Sequence, residues 1–551
     1  MTGRPGRLTG VGVGPGDPDL VTFRAAKIIT AADVIAYHCA AHGRSIARAA
    51  ALPYLRAGQL EEVLRYPVTT EQASHPGGYP AALADFYAEA EQRLAGHLAS
   101  GRDVAVLCEG DPAVYGSYQH LHQRLSGRFA ASVVPGISSV SAAAAAAGVP
   151  LVQHDETLTI LPGTLPAGEL RARMAGADAV AVLKLGRSFG RVRAALEQAG
   201  LLDRARYVER AGTSQQQVSA LAEVDPAQVP YMALALVPGR GPRPDPRSGP
   251  RPDPRPEPQR DLPPEPRHAP EPQPGARPGV TVVGLGPGDP AWLTPEAAAA
   301  VAAATDLVGY RPYLARVPVR PGQRRHASGN TVEAQRAELA LSLAAQGRRV
   351  AVISAGDPGV FAMASAVLEQ ASAGDGRWDE VAVRVLPGVT AAHAVAARAG
   401  APLGHDYCVI SLSDRLKPWE VIAGRIERAA EADFVLAFYN PASRTRTWQL
   451  PAVRDLLLRH RDPATPVVVG RAVGRPDERL QVTTLGDFDP GGVDMSTLLI
   501  VGSSATRVAQ RPDGPVVFTP RHYGEAGAAA SARRQRRNRS ARRQAAAGGG
   551  S

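Results

Sequence analysis

Gly12-Val13-Gly14-Pro15-Gly16-Asp17, near the start of the chain, returns as Gly284-Leu285-Gly286-Pro287-Gly288-Asp289 past its middle. Each copy follows a short apolar run, Leu8 to Val11 or Val280 to Val283, and precedes a helix-like segment opening on Thr22 or Thr294. Strand, glycine-rich turn and helix in that order predict a small-molecule site at the end of a parallel strand. Glycine lets the backbone turn tightly and approach a ligand closely. A repeat at this separation marks two similar modules, because solenoid periods are far shorter. The turn does not spell the dinucleotide fingerprint, since its third glycine comes one residue early. Pro15 and Pro287 lack the N–H that a phosphate wants, and Asp17 and Asp289 put a carboxylate where a pyrophosphate would sit. A cationic or zwitterionic ligand fits better; the alternative is a tight structural turn.

The chain has 551 residues, enough for three or four domains. MTGRPGRLTG at the start has no apolar stretch of the signal-peptide kind, and no apolar run reaches membrane-spanning length. Cys39, Cys108 and Cys408 show no metal-type spacing, so no metal is expected and a reducing, cytoplasmic setting is. The net charge is +10, but residues 521–551 hold eight Arg and one Glu, so most of the excess lies in that tail. The body is only mildly basic, which argues against a nucleic-acid-binding fold.

Residues 8–237 alternate strand-like runs (Val34–Tyr37, Val104–Leu107, Thr157–Leu161, Ala179–Leu183) with helical stretches such as Ala81–Ala99. That alternation predicts an α/β module with a mainly parallel sheet, divided near residue 150. Residues 238–278 contain 16 prolines among charged residues, and such a segment cannot build a core. It reads as a semi-rigid linker. Residues 279–520 repeat the plan, with a division near 405. Residues 521–551 are Ala, Arg and Gly and read as a disordered tail.

Two further turns recur in the same order. Cys108-Glu109-Gly110-Asp111-Pro112 matches Ser354-Ala355-Gly356-Asp357-Pro358, and Val134-Pro135-Gly136-Ile137-Ser138-Ser139 matches Leu386-Pro387-Gly388-Val389-Thr390-Ala391. Ser138 and Thr390 can cap the Ala-rich helices that follow. From the first-turn Asp to the second-turn Asp is 94 residues in one half and 68 in the other. The 26-residue excess of the first half is expected around Ala40 to Tyr79.

These strings carry a resemblance. The series GxGPGD, GDP and PGxS/T resembles the class III, tetrapyrrole-type S-adenosylmethionine-dependent methyltransferases. The first half is similar to precorrin-2 C-20-methyltransferases in GVGPGDPDLVTFRAAKII (12–29), ADVIAY (32–37), EGDPAVYGSYQHLHQRL (109–125), VPGISSVSA (134–142) and YVERA (207–211). The second half is similar to precorrin-3B C-17-methyltransferases in VVGLGPGDPAWLTPEA (282–297), VGYRPYL (308–314), GDPGVFAMASAVLE (356–369), VLPGVTA (385–391), APLGHDYCVISLSDRLKPWEVI (401–422), FYNPASRTRTWQL (438–450), RAVGRPDERLQVTTL (471–485) and VGSSATR (501–507). Linker and tail lie outside it.

The resemblance implies two tandem modules, each of two α/β subdomains with S-adenosylmethionine held between them. It implies contacts from Pro15, Glu109, Gly110, Asp111, Val114, Ser138, Ser139, Leu185 and Ala211 in the first half. In the second it implies Pro287, Ala355, Gly356, Asp357, Val360, Thr390, Ala391, Asn440 and Ala472. Asp111 and Asp357 would bind ribose hydroxyls or a cationic amine, or else cap the next helix. The implied substrates are reduced tetrapyrroles with several carboxylates, which favour Arg and Lys. Candidates are Arg311, Arg325, His326, Lys417, Arg444 and Arg446, with His38, Arg65 and Lys184 in the first half. Related uroporphyrinogen methyltransferases carry an Asp after the second strand's Tyr; here His38 and Arg311 stand there, so that base does not transfer. His38 is a candidate base for the first half, and His405 and Asp406 are candidate acid–base groups for ring contraction in the second. The expected function is a bifunctional methyltransferase of corrin biosynthesis, as an intrachain pseudo-dimer or a homodimer. The alternatives are a same-fold enzyme acting on RNA or a translation factor, or an interaction protein using linker and tail.

Overall fold

The computed structural model describes residues 4–40, 43–67, 75–76, 78–153, 156–240, 278–329, 332–374, 376–414, 418–443, 446–511 and 514–520. Nearly all of the Pro-rich linker and the whole Arg-rich tail fall outside the described residues.

The strands of the N-terminal module are β1 (Leu8–Gly12), β2 (Val34–Cys39), β3 (Leu60–Arg65), β4 (Val104–Cys108), β5 (Ala131–Val134), β6 (Thr157–Pro162), β7 (Ala179–Leu183), β8 (Arg206–Glu209), β9 (Gln217–Ala220) and β10 (Ala233–Val237). Those of the C-terminal module are β11 (Gly279–Gly284), β12 (Asp306–Tyr310), β13 (Arg324–Ser328), β14 (Arg349–Ser354), β15 (Val383–Leu386), β16 (Gly400–Ala401), β17 (Tyr407–Ser411), β18 (Val435–Tyr439), β19 (Pro466–Arg471), β20 (Arg479–Thr484), β21 (Thr497–Val501), β22 (Arg507–Arg511) and β23 (Gly514–Phe518). The first sheet of each module is parallel, in order β3-β2-β4-β1-β5 and β13-β12-β14-β11-β15. Buried runs such as Val104–Cys108, with helices between the strands, are what a parallel sheet covered on both faces requires.

The second sheets correct the expectation of mainly parallel pairing. β10 runs antiparallel to β7 and β8, and β21 antiparallel to β18 and β19. The short links from β8 to β9 and from β19 to β20 leave no room for a crossover, so these pairs are hairpins. The two second sheets then join. β6 pairs antiparallel with β17, Ile160 opposite Tyr407 and Thr157 opposite Ile410, giving one ten-stranded sheet β20-β19-β21-β18-β17-β6-β7-β10-β8-β9 across both modules. One apolar cluster on this sheet holds Leu161, Val180 and Phe189 of the first module with Ile410, Phe438 and Leu499 of the second. The two halves therefore share a core.

The Ala-rich helices explain how closely they meet. Ser139–Ala146 packs on β15 of the other module, and Ala391–Ala399 packs on β5. Small side chains allow both approaches. The segments that follow the two opening turns also touch, with the Phe23 N–H donating to the Leu293 carbonyl at 2.9 Å.

The 26-residue excess is not confined to residues 40–79. Part lies on either side of β3, and part lengthens the following helix, Gly78–Ala99, which has 22 residues against 13 in its counterpart Glu333–Ala345. No helix among the described residues is long and apolar enough to cross a membrane.

Candidate functional site

Three glycine turns meet at the carboxyl edge of each first sheet. Gly14 bridges Gly110 and Gly286 bridges Gly356, with the Gly110 N–H donating to the Gly14 carbonyl at 2.8 Å. The third turn lies on the other two so closely that a Cβ on Gly136 would overlap the Gly110 carbonyl oxygen, and one on Gly388 the Gly356 oxygen. Gly110 and Gly356 themselves take φ of +67° and +62°. A Cβ on either would stand in ordinary van der Waals contact, with the nearest atoms 3.7 and 3.9 Å away. Gly356 presents bare backbone to the cleft of its module.

In the C-terminal module that cleft is a cavity of about 230 Å³. Its walls include Pro287, Ala355, Gly356, Asp357, Val360, Thr390, Ala391, Asn440 and Ala472, all the residues of this half to which the resemblance assigned the cofactor. In the N-terminal module Pro15 is buried against Gly212, Val114 is half-buried, and Glu109 keeps an exposed face. Ser138 caps its helix by accepting from the Ser141 N–H at 3.1 Å, and Thr390 accepts from the His393 N–H at 3.2 Å. Ser139 is the first residue of the capped helix.

Backbone strain shows a register that motifs alone missed. Six of the seven described non-glycine residues with positive φ, all but Asp433, come in pairs: Tyr115 (+50°) with Phe361 (+49°), Lys184 (+59°) with Asn440 (+51°), and Arg210 (+47°) with Ala472 (+51°). Such conformations cost of order 1–3 kcal/mol each and cluster at ligand clamps. The counterparts of Asn440 and Ala472 are therefore Lys184 and Arg210, each one residue before the expected Leu185 and Ala211. Leu185 is fully buried in the core of the second sheet, and Ala211 is also buried.

The aspartates act on the backbone. Asp17 and Asp289 accept from the N–H of Asp19 and Ala291, both at 2.8 Å, and so start short helical turns. Asp111, buried, accepts from Ala113 N–H at 2.8 Å and Gly136 N–H at 3.1 Å; Asp357 accepts from Gly359 N–H at 2.8 Å and Gly388 N–H at 3.2 Å. Both carboxyls tie the second turn to the third. Burial pushes Asp111 up to about 7 and Asp357 to about 6, with the amides pulling weakly the other way. A carboxyl raised in the fold stabilises it most as the neutral acid, and the contribution is lost as pH rises through the folded value. The fall in thermal midpoint from about pH 4 to about pH 7 should thus be smaller in Asp111→Asn and Asp357→Asn than in the parent.

Other candidates move too. His405 and Asp406 do not line the C-terminal cavity. They precede β17 at the seam, where Asp406, 1% exposed, pairs with Arg173 of the other module. His38 is the penultimate residue of β2 and lies among aromatics, its ring centre 5.2 Å from that of Tyr66 and 6.0 Å from that of Phe86. Arg65 is exposed at the end of β3, and the Lys184 ammonium lies 4.9 Å from the Tyr115 ring centre. Arg325 is spent on the carbonyls of Leu314, Val317 and Pro318, and His326 on Asp306 at 2.8 Å. Arg446 is buried on the Asn440 carbonyl at 2.7 Å. Arg311 is exposed at the start of helix Arg311–Leu314, outside the cavity lining. Lys417 and Arg444 lie outside the described residues. Sequence reasoning missed Tyr310, Tyr313, Arg336 and Arg475, which do line the cavity. Three of them stood inside quoted strings, Tyr310 and Tyr313 in VGYRPYL and Arg475 in RAVGRPDERLQVTTL.

The family model described as tetrapyrrole (corrin/porphyrin) methylases matches residues 7–225 and 279–489. The chain is 58% identical over 528 residues to the cobalamin biosynthesis protein CobIJ of Mycobacterium tuberculosis, covering 95% of this chain and 97% of that one. It is 54% identical over 249 residues to a precorrin-3B C(17)-methyltransferase of Sinorhizobium sp, which spans 45% of this chain and 97% of that protein. It is 46% identical over 239 residues to a precorrin-2 C(20)-methyltransferase of Sinorhizobium sp, with 43% and 98% covered.

Proposed function

The chain belongs to the tetrapyrrole (corrin/porphyrin) methylase family, and from that premise we propose a division of labour between its two modules. The N-terminal module methylates precorrin-2 at C-20, and the C-terminal module methylates precorrin-3B at C-17 with contraction of the macrocycle. Each uses one S-adenosylmethionine. The observation that carries this reading is the cleft itself, built twice from the same three turns and the same paired strained residues.

The residues present suit that cofactor. The bare backbone at Gly356 and Gly110 leaves room that a side chain would fill. Val360, Ala391 and Ala472 supply an apolar wall, and Asn440 and the turn backbones supply polar groups. When bound, S-adenosylmethionine supplies an electrophilic methyl group on a sulfonium. The chain's own part is alignment and exclusion of water, and alignment alone can equal effective molarities of roughly 10⁵–10⁸ M. Tyr310 and Tyr313, with rings 5.1 Å apart, and Arg475, exposed at the rim, suit a flat macrocycle bearing carboxylates.

The test is to give the full chain labelled S-adenosylmethionine with precorrin-2 or precorrin-3B and weigh the products. One methyl on each substrate is expected; no transfer to either sinks the reading.

A further inference from the structure

Asp406 reaches the wrong module for the role its sequence neighbourhood suggested. Its Oδ1 accepts a hydrogen bond from the Tyr115 hydroxyl at 3.1 Å, 291 positions away in the N-terminal module. Arg173, also of the N-terminal module, holds the other oxygen, and both side chains are largely enclosed. The His405 ring stands 3.5 Å from the carboxylate.

Tyr115 is not an ordinary surface tyrosine. It follows the Gly110-Asp111 turn, has a φ of +50°, and is the counterpart of Phe361, which lines the C-terminal cavity. Its ring also carries the ammonium of Lys184, the counterpart of cavity-lining Asn440. Two strained positions of the N-terminal cleft thus converge on one ring, and that ring is fastened by a carboxylate from the other module.

The arrangement is reciprocal. The Ser141 hydroxyl of the N-terminal module bonds the Asp357 carboxyl of the C-terminal one. The N–H groups of Leu151 and Val152 donate to the Gly359 carbonyl at 3.0 and 3.1 Å, and the Phe361 N–H donates back to the Val152 carbonyl at 3.1 Å. Each second turn is therefore braced by the opposite module.

We propose that Asp406 is a positioning residue of the N-terminal module's cofactor cleft, acting through the Tyr115 hydroxyl, so that the C-terminal module completes the site of its neighbour. This rests on the reading of that cleft as the S-adenosylmethionine site. The carboxylate sets the angle of the Tyr115 side chain, and through it the backbone that shapes the cleft beside Val114.

The test uses the full chain with Tyr115→Phe, Asp406→Asn and the double variant. It measures KM for S-adenosylmethionine and kcat in the C-20 and C-17 reactions separately. A hydrogen bond to a charged group corresponds to roughly 10- to 100-fold in an equilibrium. Tyr115→Phe should raise the C-20 KM about tenfold, with kcat at saturating cofactor and both C-17 constants within about twofold. The double variant should be no worse than the worse single, because Tyr115→Phe removes the donor of the contact and Asp406→Asn only weakens its acceptor. If Asp406→Asn does not fold, Tyr115→Phe alone decides. An unchanged C-20 KM in Tyr115→Phe, multiplying effects in the double variant, or equal losses in both reactions would overturn the proposal. A parent chain that binds S-adenosylmethionine at only the C-terminal module would overturn the underlying reading, and the proposal with it.

Discussion

Gly388→Ala is expected to abolish cofactor binding in the C-terminal module while the N-terminal module keeps its own, and Gly136→Ala to do the reverse. The cause is steric. A Cβ on Gly388 would overlap the Gly356 carbonyl oxygen and lie 3.1 Å from two Gly284 atoms, all of them backbone. No flexible side chain is available to yield. The third turn must move away from the first two, and it carries Thr390 and Ala391 of the cavity wall with it. A misplacement of about 1 Å can cost roughly 10²-fold in a positioned reaction. The same movement stretches the bond from Gly388 N–H to Asp357, whose buried carboxyl would lose an amide partner. Calorimetric titration of the full chain should therefore find two S-adenosylmethionine sites in the parent and one in either variant. Two intact sites in Gly388→Ala would mean that the turns do not shape the cleft.

The second large effect concerns the seam. A chain cleaved at a protease site placed between residues 241 and 277 should remain one particle in size-exclusion chromatography with light scattering. Either module expressed alone should self-associate or precipitate. The reason is the β6–β17 pairing. Every residue of β6 and β17 is buried, and separating the modules turns each strand into a bare apolar edge, the kind that recruits other chains. It also strands buried charges. Arg425 pairs with Asp178 across the seam at 2.8 Å, and Arg173 pairs with Asp406. Leaving one partner of a buried pair uncompensated costs about 3–5 kcal/mol. Two cleaved halves that elute as separate monomers would contradict the shared core.

Much of this was readable in the chain. The glycine turns were legible because each one answers a backbone demand that only glycine meets, and a repeated demand is a repeated structure. The parallel first sheets followed from buried apolar runs between helices. What was not legible has physical causes. β3 and β13 read LEEVLR and RRHAS; they are edge strands with polar faces and show no apolar run. The joint between β6 and β17 was invisible because Thr157–Pro162 and Tyr407–Ser411 look like any buried strands, and nothing local says which neighbour covers them. The cofactor register slipped by one residue at Leu185 and Ala211 because the loops around them share few letters with those at Asn440 and Ala472; only the paired positive φ angles aligned them. Arg325, His326 and Arg446 looked like carboxylate binders because their charge is visible in the sequence, while the carbonyls and the aspartate that occupy them are brought close only by the fold. Asp406 was singled out as a reactive group, yet its neighbours along the chain could not tell which module it faces.

The claim at the centre is that one chain holds two separate methylation sites of the same construction, each serving its own tetrapyrrole. The most direct measurement is product mass with labelled S-adenosylmethionine for the parent, Gly136→Ala and Gly388→Ala, each given precorrin-2 and precorrin-3B in turn. The expected result is that the parent methylates both, Gly136→Ala methylates only precorrin-3B, and Gly388→Ala methylates only precorrin-2. If both variants lose the same reaction, or either loses neither, the two sites are not what the duplicated turns make them.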